Sequence, residues 1–405
     1  MTLAPDEQLP RVRARRSPVA AYLASFIFLG MALSVAGPAL PFLREHAGVG
    51  IGASGFVLAG QSFGYILGSL AAGRKYDRGY GHRLLFGAGM VAVAAAVGLT
   101  AVNELWMVVA VFMIIGFSAA AMDVGGNTLA VWSQPTERVG STLNALHLCF
   151  GLGALATPLI VSRSLRWSGD LLLVGVVMAV ILAAVAVLLR RTDQPVRRAP
   201  VHHLEVDVPR SHPAFVLLCV FFFMYVGAEV AFAGWVTTYA DEIHLGGDDA
   251  PEILASVFWA GFATGRVVAI WLTRRLTLSV MLVGSCLLAV AAMFVLAVGD
   301  AVDPIVWITT GVVGFTLGPQ YATMLAFGDE RLRLSGSSTS VIIASSGVGG
   351  LTLPVVTGGI LDRWGADLMP WAVGVACAMT TGVAFAIVAV GRQRPPLTSR
   401  NAPVT

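Results

Sequence analysis

Twelve long apolar runs, each set off from the next by a short polar or charged stretch, fill the chain from residue 19 to residue 391. They cover 19–43, 53–73, 84–102, 105–133, 140–163, 171–189, 214–240, 252–272, 279–298, 304–327, 337–361 and 369–391. A bilayer core takes about 20 apolar residues per helical span, so each run is a candidate span. Lipid offers no partner to an open strand edge, which makes helices the expected form. The first run is too long for a cleavable signal peptide, lacks a convincing small-residue cleavage site and is followed by eleven more. Arg15–Arg16 ahead of it reads as a cytoplasmic flank rather than a twin-arginine signal.

The runs form two sets of six. "GLGALATPLI" from Gly151 returns as "GVGGLTLPVV" from Gly347, so that Gly151, Gly153, Leu155 and Pro158 recur 196 residues later. "AGQSFG" ending at Gly64 resembles "AGFATG" ending at Gly265, Gly37 falls opposite Gly234, and the "GF" at Gly116 pairs with that at Gly314. The chain therefore reads as an all-α membrane protein, with twelve transmembrane helices in two parallel six-helix repeats. The expected division is an N-terminal cytoplasmic tail over 1–18, a bundle over 19–189, a basic linker over 190–213, a second bundle over 214–391 and a C-terminal tail over 392–405. Two six-span halves in parallel repeat form one layout of secondary transporters, with the solute near the midplane between the halves. Such a pair makes a complete pathway, so a monomer suffices.

Composition agrees: 57% of the 405 residues are hydrophobic and 12% charged, against roughly 25% charged in a soluble domain. The net charge of +3 and the lack of a basic aromatic patch exclude a nucleic-acid partner. Cys149, Cys219, Cys286 and Cys377 lie in separate apolar runs without metal spacing and read as core residues. With the N-terminus inside, only Arg44, Arg163, Arg166 and Arg363 fall in outer loops. Arg266 lies near the inner end of its own span, and every other Lys and Arg is inside. This bias puts both termini in the cytoplasm and the chain in the cell (inner) membrane.

Against that background two acids stand out, Asp123 in span 4 and Glu229 in span 7. A carboxylate at the bilayer centre costs about 2.5–3.5 kcal/mol on insertion scales, and needs a partner, a water-filled cavity or a proton. No basic residue lies deep enough in the sequence to be an obvious partner, so at least one of the two is expected to titrate and to carry the coupling proton. Asn127 is four residues after Asp123 and shares its helix face; with Gly125 and Gly126 between them, the pair outlines a small polar pocket suited to hydroxyl groups. Trp235 reads equally as a ring for an apolar sugar face or as a lipid-facing or interfacial anchor. It lies six residues from Glu229, so the two serve different surfaces unless the helix unwinds near Gly234. His147, with Asn144 one turn before it, is a candidate relay or helix–helix hydrogen-bond residue. Gln61, Gln320 and Tyr321 are further candidate cavity residues. The stretch "GRKYDRGYGHR" from Gly73 joins spans 2 and 3 and places an acid among arginines, as an inner latch requires.

That stretch resembles the loop signature of the major facilitator superfamily, with Gly73, Asp77, Arg78, Gly81 and Arg83 in its positions and one extra residue between Arg78 and Gly81. "DVGGN" at Asp123, "FLGMALSVAGPALPFL" and "GAEVAFAGWVTTYA" resemble spans 4, 1 and 7 of the fucose–proton symporter and sodium-dependent glucose transporter branch. The resemblance implies Asp123, Asn127, Glu229 and Trp235 as cavity residues and cation-coupled uptake of a hexose-like solute. Span 1 here has no acid, where the fucose symporter type carries one. The reading is a proton-coupled symporter for a sugar or similar polyhydroxylated solute, a proton being preferred to sodium because no oxygen cage is evident. The alternative is a proton-driven exporter of amphipathic compounds, supported by Phe221, Phe222, Phe223 and Tyr225, although lipid contact would explain these. No nucleophile–base pair, metal cluster or phosphate loop suggests an enzyme, and no cofactor is expected.

Overall fold

The computed structural model describes residues 17–190, 192–196, 213–299, 303–332 and 336–392. Most of both tails and of the linker lies outside these residues. The apolar runs become fourteen helices, α1 (Val19–Ser34), α2 (Ala36–His46), α3 (Ile51–Asp77), α4 (Gly81–Gly98), α5 (Leu105–Ser133), α6 (Thr136–Ser168), α7 (Leu172–Leu189), α8 (Pro213–Glu242), α9 (Ala250–Leu272), α10 (Leu278–Val298), α11 (Asp303–Leu317), α12 (Gln320–Leu332), α13 (Gly336–Trp364) and α14 (Met369–Arg392). Among the described residues, eleven segments are long and apolar enough to cross a membrane, α1 and α2 counting as one. Span 10 departs from expectation. It is interrupted at Gly318–Pro319, because Pro319 has no N–H to donate and its ring crowds the preceding turn. Trp106, Trp167, Trp271 and Trp364 are exposed at helix ends, where the aromatic belts of membrane proteins lie.

Glycines set how closely the helices approach, and they do so twice over. Gly153 of α6 lies on the Ile27 carbonyl of α1, and Gly349 of α13 lies on the Phe223 carbonyl of α8, both residues shifted by 196. Gly64 lies on the Met113 carbonyl, and Gly265 on that of Phe315. A side chain at any of these positions would occupy the space of a backbone oxygen. The same contacts correct one sequence pairing. Gly116 lies on the Gln61 carbonyl, and the matching contact in the second half is Gly318 on Phe262, so the counterpart of Gly116 is Gly318. Gly314, on the Phe258 carbonyl, is one turn away.

The face that bears Val19 is called the near face, and the opposite one the far face. The halves are sealed at the far face. There α2 crosses α8 with Gly37 against the Ala233 carbonyl, α3 packs on α13, and α6 packs on α9. Arg44 pairs with Glu242 at 2.9 Å, Arg166 Nε pairs with Asp249 at 2.7 Å, Ser162 donates to Asp249, and the Gly52 N–H donates to Asp362 Oδ1 at 3.1 Å. The near-face turn of the loop signature is docked on the start of the linker and on α1. Gln194 donates to the Gly79 carbonyl at 2.8 Å and accepts from His82 N–H at 3.3 Å, and His82 meets the Tyr22 hydroxyl at 2.8 Å. Gly73 and Asp77 are in the last turns of α3, Arg78 caps it, and Gly81 and Arg83 open α4. The extra residue is absorbed by left-handed backbone at Gly79 and Gly81, with φ of 86° and 26°.

Gly153→Ala is expected to destabilise the purified protein by about 1–3 kcal/mol, the usual cost of overpacking. Gly359→Ala, which would meet no atom within 4 Å, is expected to leave thermal unfolding in detergent unchanged or slightly raised.

Candidate functional site

In the first half the site is built on α5, which runs unbroken through "DVGGN". Helical spacing brings Asn127 back onto Asp123. Its Nδ2 donates to Asp123 Oδ1 at 2.8 Å and to the Asp123 carbonyl at 3.1 Å. The second carboxylate oxygen accepts from the Tyr65 hydroxyl of α3. Each oxygen of Asp123 thus has one donor, an arrangement suited to the ionised acid. The intervening glycines do not open a pocket as expected. The Tyr76 ring fills the space at Gly125 and the Phe26 ring fills that at Gly126.

In the second half, Tyr225 and Glu229 lie one turn apart on α8. The Tyr225 hydroxyl is 2.5 Å from Glu229 Oε2 and 2.8 Å from the Leu317 carbonyl, which ends α11. Beyond the break, the Gly318 carbonyl accepts from Arg266 Nε at 3.1 Å, and the Arg266 guanidinium rests 4.4 Å above the Phe262 ring. Both carbonyls, released by the proline break, are taken by side chains, as a membrane interior demands. Gln320 does the same for the Thr316 carbonyl at 3.1 Å.

Arg266 corrects the expectation that no base reaches the acids. It interacts electrostatically with Asp123 of the first half and with Glu229 of the second, and also with His147, Tyr225 and Tyr321. Its Cα is six residues from the near end of α9, about 9 Å along the axis. A helical side chain leans toward the N-terminus of its helix, which for α9 is the far face, so this one rises into the bundle. Among the described residues no carboxylate closes an ion pair within 4.0 Å on its terminal nitrogens.

Tyr321, just past the break, joins this group. Its ring packs edge-on to Phe222 at 4.9 Å and lies 6.4 Å from Tyr225. His147 is exposed, edge-on to Phe26 at 5.8 Å and within the field of Arg266, rather than in a helix–helix hydrogen bond. Asn144, one turn earlier, is also exposed.

Other candidates are not part of the group. Trp235 is fully buried, its Nε1 donating to the Pro354 carbonyl at 2.9 Å and its ring wedged against Gly55 and Gly358. Because α8 is continuous, Trp235 and Glu229 serve different surfaces. Gln61 donates to the Ala32 carbonyl at 2.9 Å, and Gln320 is buried inside the second half. Phe221, Phe222 and Tyr225 are buried as a ring cluster with Tyr321 instead of facing lipid.

Sequence reasoning missed Tyr65, gave Tyr225 only as an aromatic of the exporter reading, and placed Arg266 at the inner end of its span without a role at the site. The signal for two of them was present. Extending the alignment of "AGQSFG" with "AGFATG" by one residue puts Tyr65 opposite Arg266. Each reaches the neighbouring span, Tyr65 to Asp123 and Arg266 to the break.

The sequence matches the profile described as Major Facilitator Superfamily over residues 22–354. It is 25% identical over 385 residues to sodium-dependent glucose transporter 1A of Mus musculus, covering 83% of this chain and 87% of that one. It is 24% identical to sodium-dependent glucose transporter 1 of Homo sapiens, covering 90% and 77%. Its fold is similar to the crystal structure of a mutant of the nucleoside transporter NupG, with TM-score 0.73 at 13% identity over 92% of this chain and 99% of that one. It is also similar to a bacterial homolog of the human lysosomal transporter Spinster in an inward-facing, occupied conformation, with TM-score 0.67 at 14% identity over 96% and 97%. The family and these relatives are membrane transporters.

Arg266→Gln strands two acids without a cation, so it is expected to lower the unfolding temperature in detergent by several degrees, at roughly 2–4 °C per kcal/mol lost. The double variant with Asp123→Asn is expected to recover part of that loss. Equal melting of the single variant and the unaltered protein would show that Arg266 does not compensate these acids.

Proposed function

This chain belongs to the Major Facilitator Superfamily, and we propose that within it the chain is a cation-coupled transporter of a sugar or similar polyhydroxylated small solute, working by alternating access between its two halves. The observation that carries this reading is one carboxylate inside each half, Asp123 accepting from Tyr65 and Glu229 from Tyr225, with Arg266 between the spans on the Gly318 carbonyl. Arg266 can neutralise one of them. In a low-dielectric site the second is costly unless it takes up a cation. Uptake of one cation makes the centre neutral, and a neutral centre can be re-exposed on the other side. Asn127, Asn144, His147 and Tyr321 supply donors and acceptors suited to hydroxyl groups. The printed names of the glucose-transporting relatives support the same class of solute.

The cation is read as a proton taken up at Glu229, whose partner Tyr225 also faces a carbonyl that can only accept. Sodium is the second reading, favoured by the names of those relatives. The near face carries most of the basic residues and is assigned to the cytoplasm, so the far-face seal closes the pathway from outside. Gly73, Asp77, Arg78 and Arg83 would latch the near face in the opposite state, when the turn now docked on Gln194 meets the second half.

Proteoliposomes separate these readings. With hexoses, deoxyhexoses and polyols as solutes, an inward proton gradient in sodium-free buffer is expected to drive accumulation and to alkalinise the outside when solute alone is added. Asp123→Asn is expected to reduce accumulation at least tenfold. Accumulation driven only by a sodium gradient would replace the proton by sodium. Release of a loaded dye under a pH gradient, with no response to any sugar, would favour export of amphipathic compounds.

A further inference from the structure

The Tyr225 hydroxyl has one proton and two oxygens within reach of it, Glu229 Oε2 at 2.5 Å and the Leu317 carbonyl at 2.8 Å. The carbonyl can only accept. When Glu229 is ionised, both oxygens compete for the single proton, and the charge-assisted bond to the carboxylate is the stronger. The Leu317 carbonyl, next to the Gly318–Pro319 break, is then left without its donor. When Glu229 is protonated, the acid donates to the Tyr225 oxygen and Tyr225 donates onward to Leu317. Only this second pattern satisfies both contacts at once. The space bounded by Tyr225, Leu317, Gln320, Cys286 and Cys377 is too narrow to offer the carbonyl a water from that side. The charged and titratable groups around Glu229 are Arg266 from α9, Tyr321 from α12 and Tyr225 on its own helix, with Cys286 of α10 and Cys377 of α14 flanking Tyr225.

We propose that Tyr225 is a positioning residue that transmits the protonation of Glu229 to the break in span 10. With the acid protonated, Tyr225 caps Leu317 and holds α11 and α12 in the bent arrangement. Loss of the proton draws the hydroxyl to Glu229, uncaps the carbonyl and frees the bend to change. The device belongs to the second half alone. By the Ile27–Phe223 pairing the repeat counterpart of Tyr225 is Leu29, which has no hydroxyl, and that of Gly318 is Gly116, within the unbroken α5. The inference rests on the reading of Glu229 as the site of cation uptake, and deepens it by naming the element that responds.

The test uses Tyr225→Phe. This variant keeps the ring that stacks on Phe221 at 5.9 Å and removes only the hydroxyl. Spin labels at Ile308 and Glu330, on either side of the break, report the bend in purified protein without any solute. The unaltered chain is expected to show a distance distribution that changes with pH. Glu229→Gln, whose amide can donate to Tyr225 as the protonated acid does, is expected to hold the low-pH distribution at all pH values. Tyr225→Phe is expected to abolish the pH response. In proteoliposomes it is expected to lower gradient-driven accumulation at least tenfold, while solute counterflow without a gradient falls no more than about threefold. A pH response in Tyr225→Phe equal to that of the unaltered chain overturns the proposal, as does an unaltered chain indifferent to pH. So does an equal fall of accumulation and counterflow. If the label distance responds as stated while no sugar is transported, the proton device stands and the choice of solute fails.

Discussion

Two carboxylates inside the membrane span, one from each half, are the constraint around which the centre of this protein is arranged. In water the extra negative charge would be screened at little cost. Between helices in a bilayer it has to be matched by a group the protein brings or an ion it borrows. Among the described residues Arg266 closes no ion pair with either acid, and is held instead on the Gly318 carbonyl and over the Phe262 ring. Charge balance at the centre therefore depends on how the halves are placed, and this links the electrostatics of a few side chains to the position of whole bundles.

The same accounting governs the backbone. A proline in span 10 releases carbonyls that lipid cannot satisfy, and Tyr225, Arg266 and Gln320 take them up. The two residues that face the acids are thus also those that hold the break. The repeats share their glycine contacts almost residue for residue, yet the site is asymmetric. Glu229 has Leu33 as its counterpart and Arg266 has Tyr65. The inherited scaffold fixes where neighbouring spans meet, and the differing side chains at those crossings make one half a holder of Asp123 and the other a holder of the break.

Much of this was legible in the chain. Spans, repeat and the two deep acids follow from hydropathy and from the cost of charge in lipid. Arg266 was not legible as a partner, because its position in the sequence gives the depth of its Cα and not the direction in which a long side chain leans. Asn127 was found, but its pairing with Asp123 and the filling of Gly125 and Gly126 by Tyr76 and Phe26 depend on other helices. Trp235 read equally as a ring for a solute or as an interfacial anchor, and its complete burial against Gly55 and Gly358 excludes both. Pro319 alone could not announce the interruption of span 10, because Pro158 and Pro354 lie inside the continuous α6 and α13.

The far-face seal sorts its charges by half. The first half contributes Arg44, Arg166 and the free N–H at the start of α3, and the second contributes Glu242, Asp249 and Asp362. Partly exposed pairs of this kind are each worth only about 0–1 kcal/mol and weaken as ionic strength rises. Once parted, the two sides of these contacts present opposite charge to the surrounding medium and each gathers its own counterions. The resting balance between closed and open forms is then set in part by the salinity of the solution bathing that face, before any solute arrives.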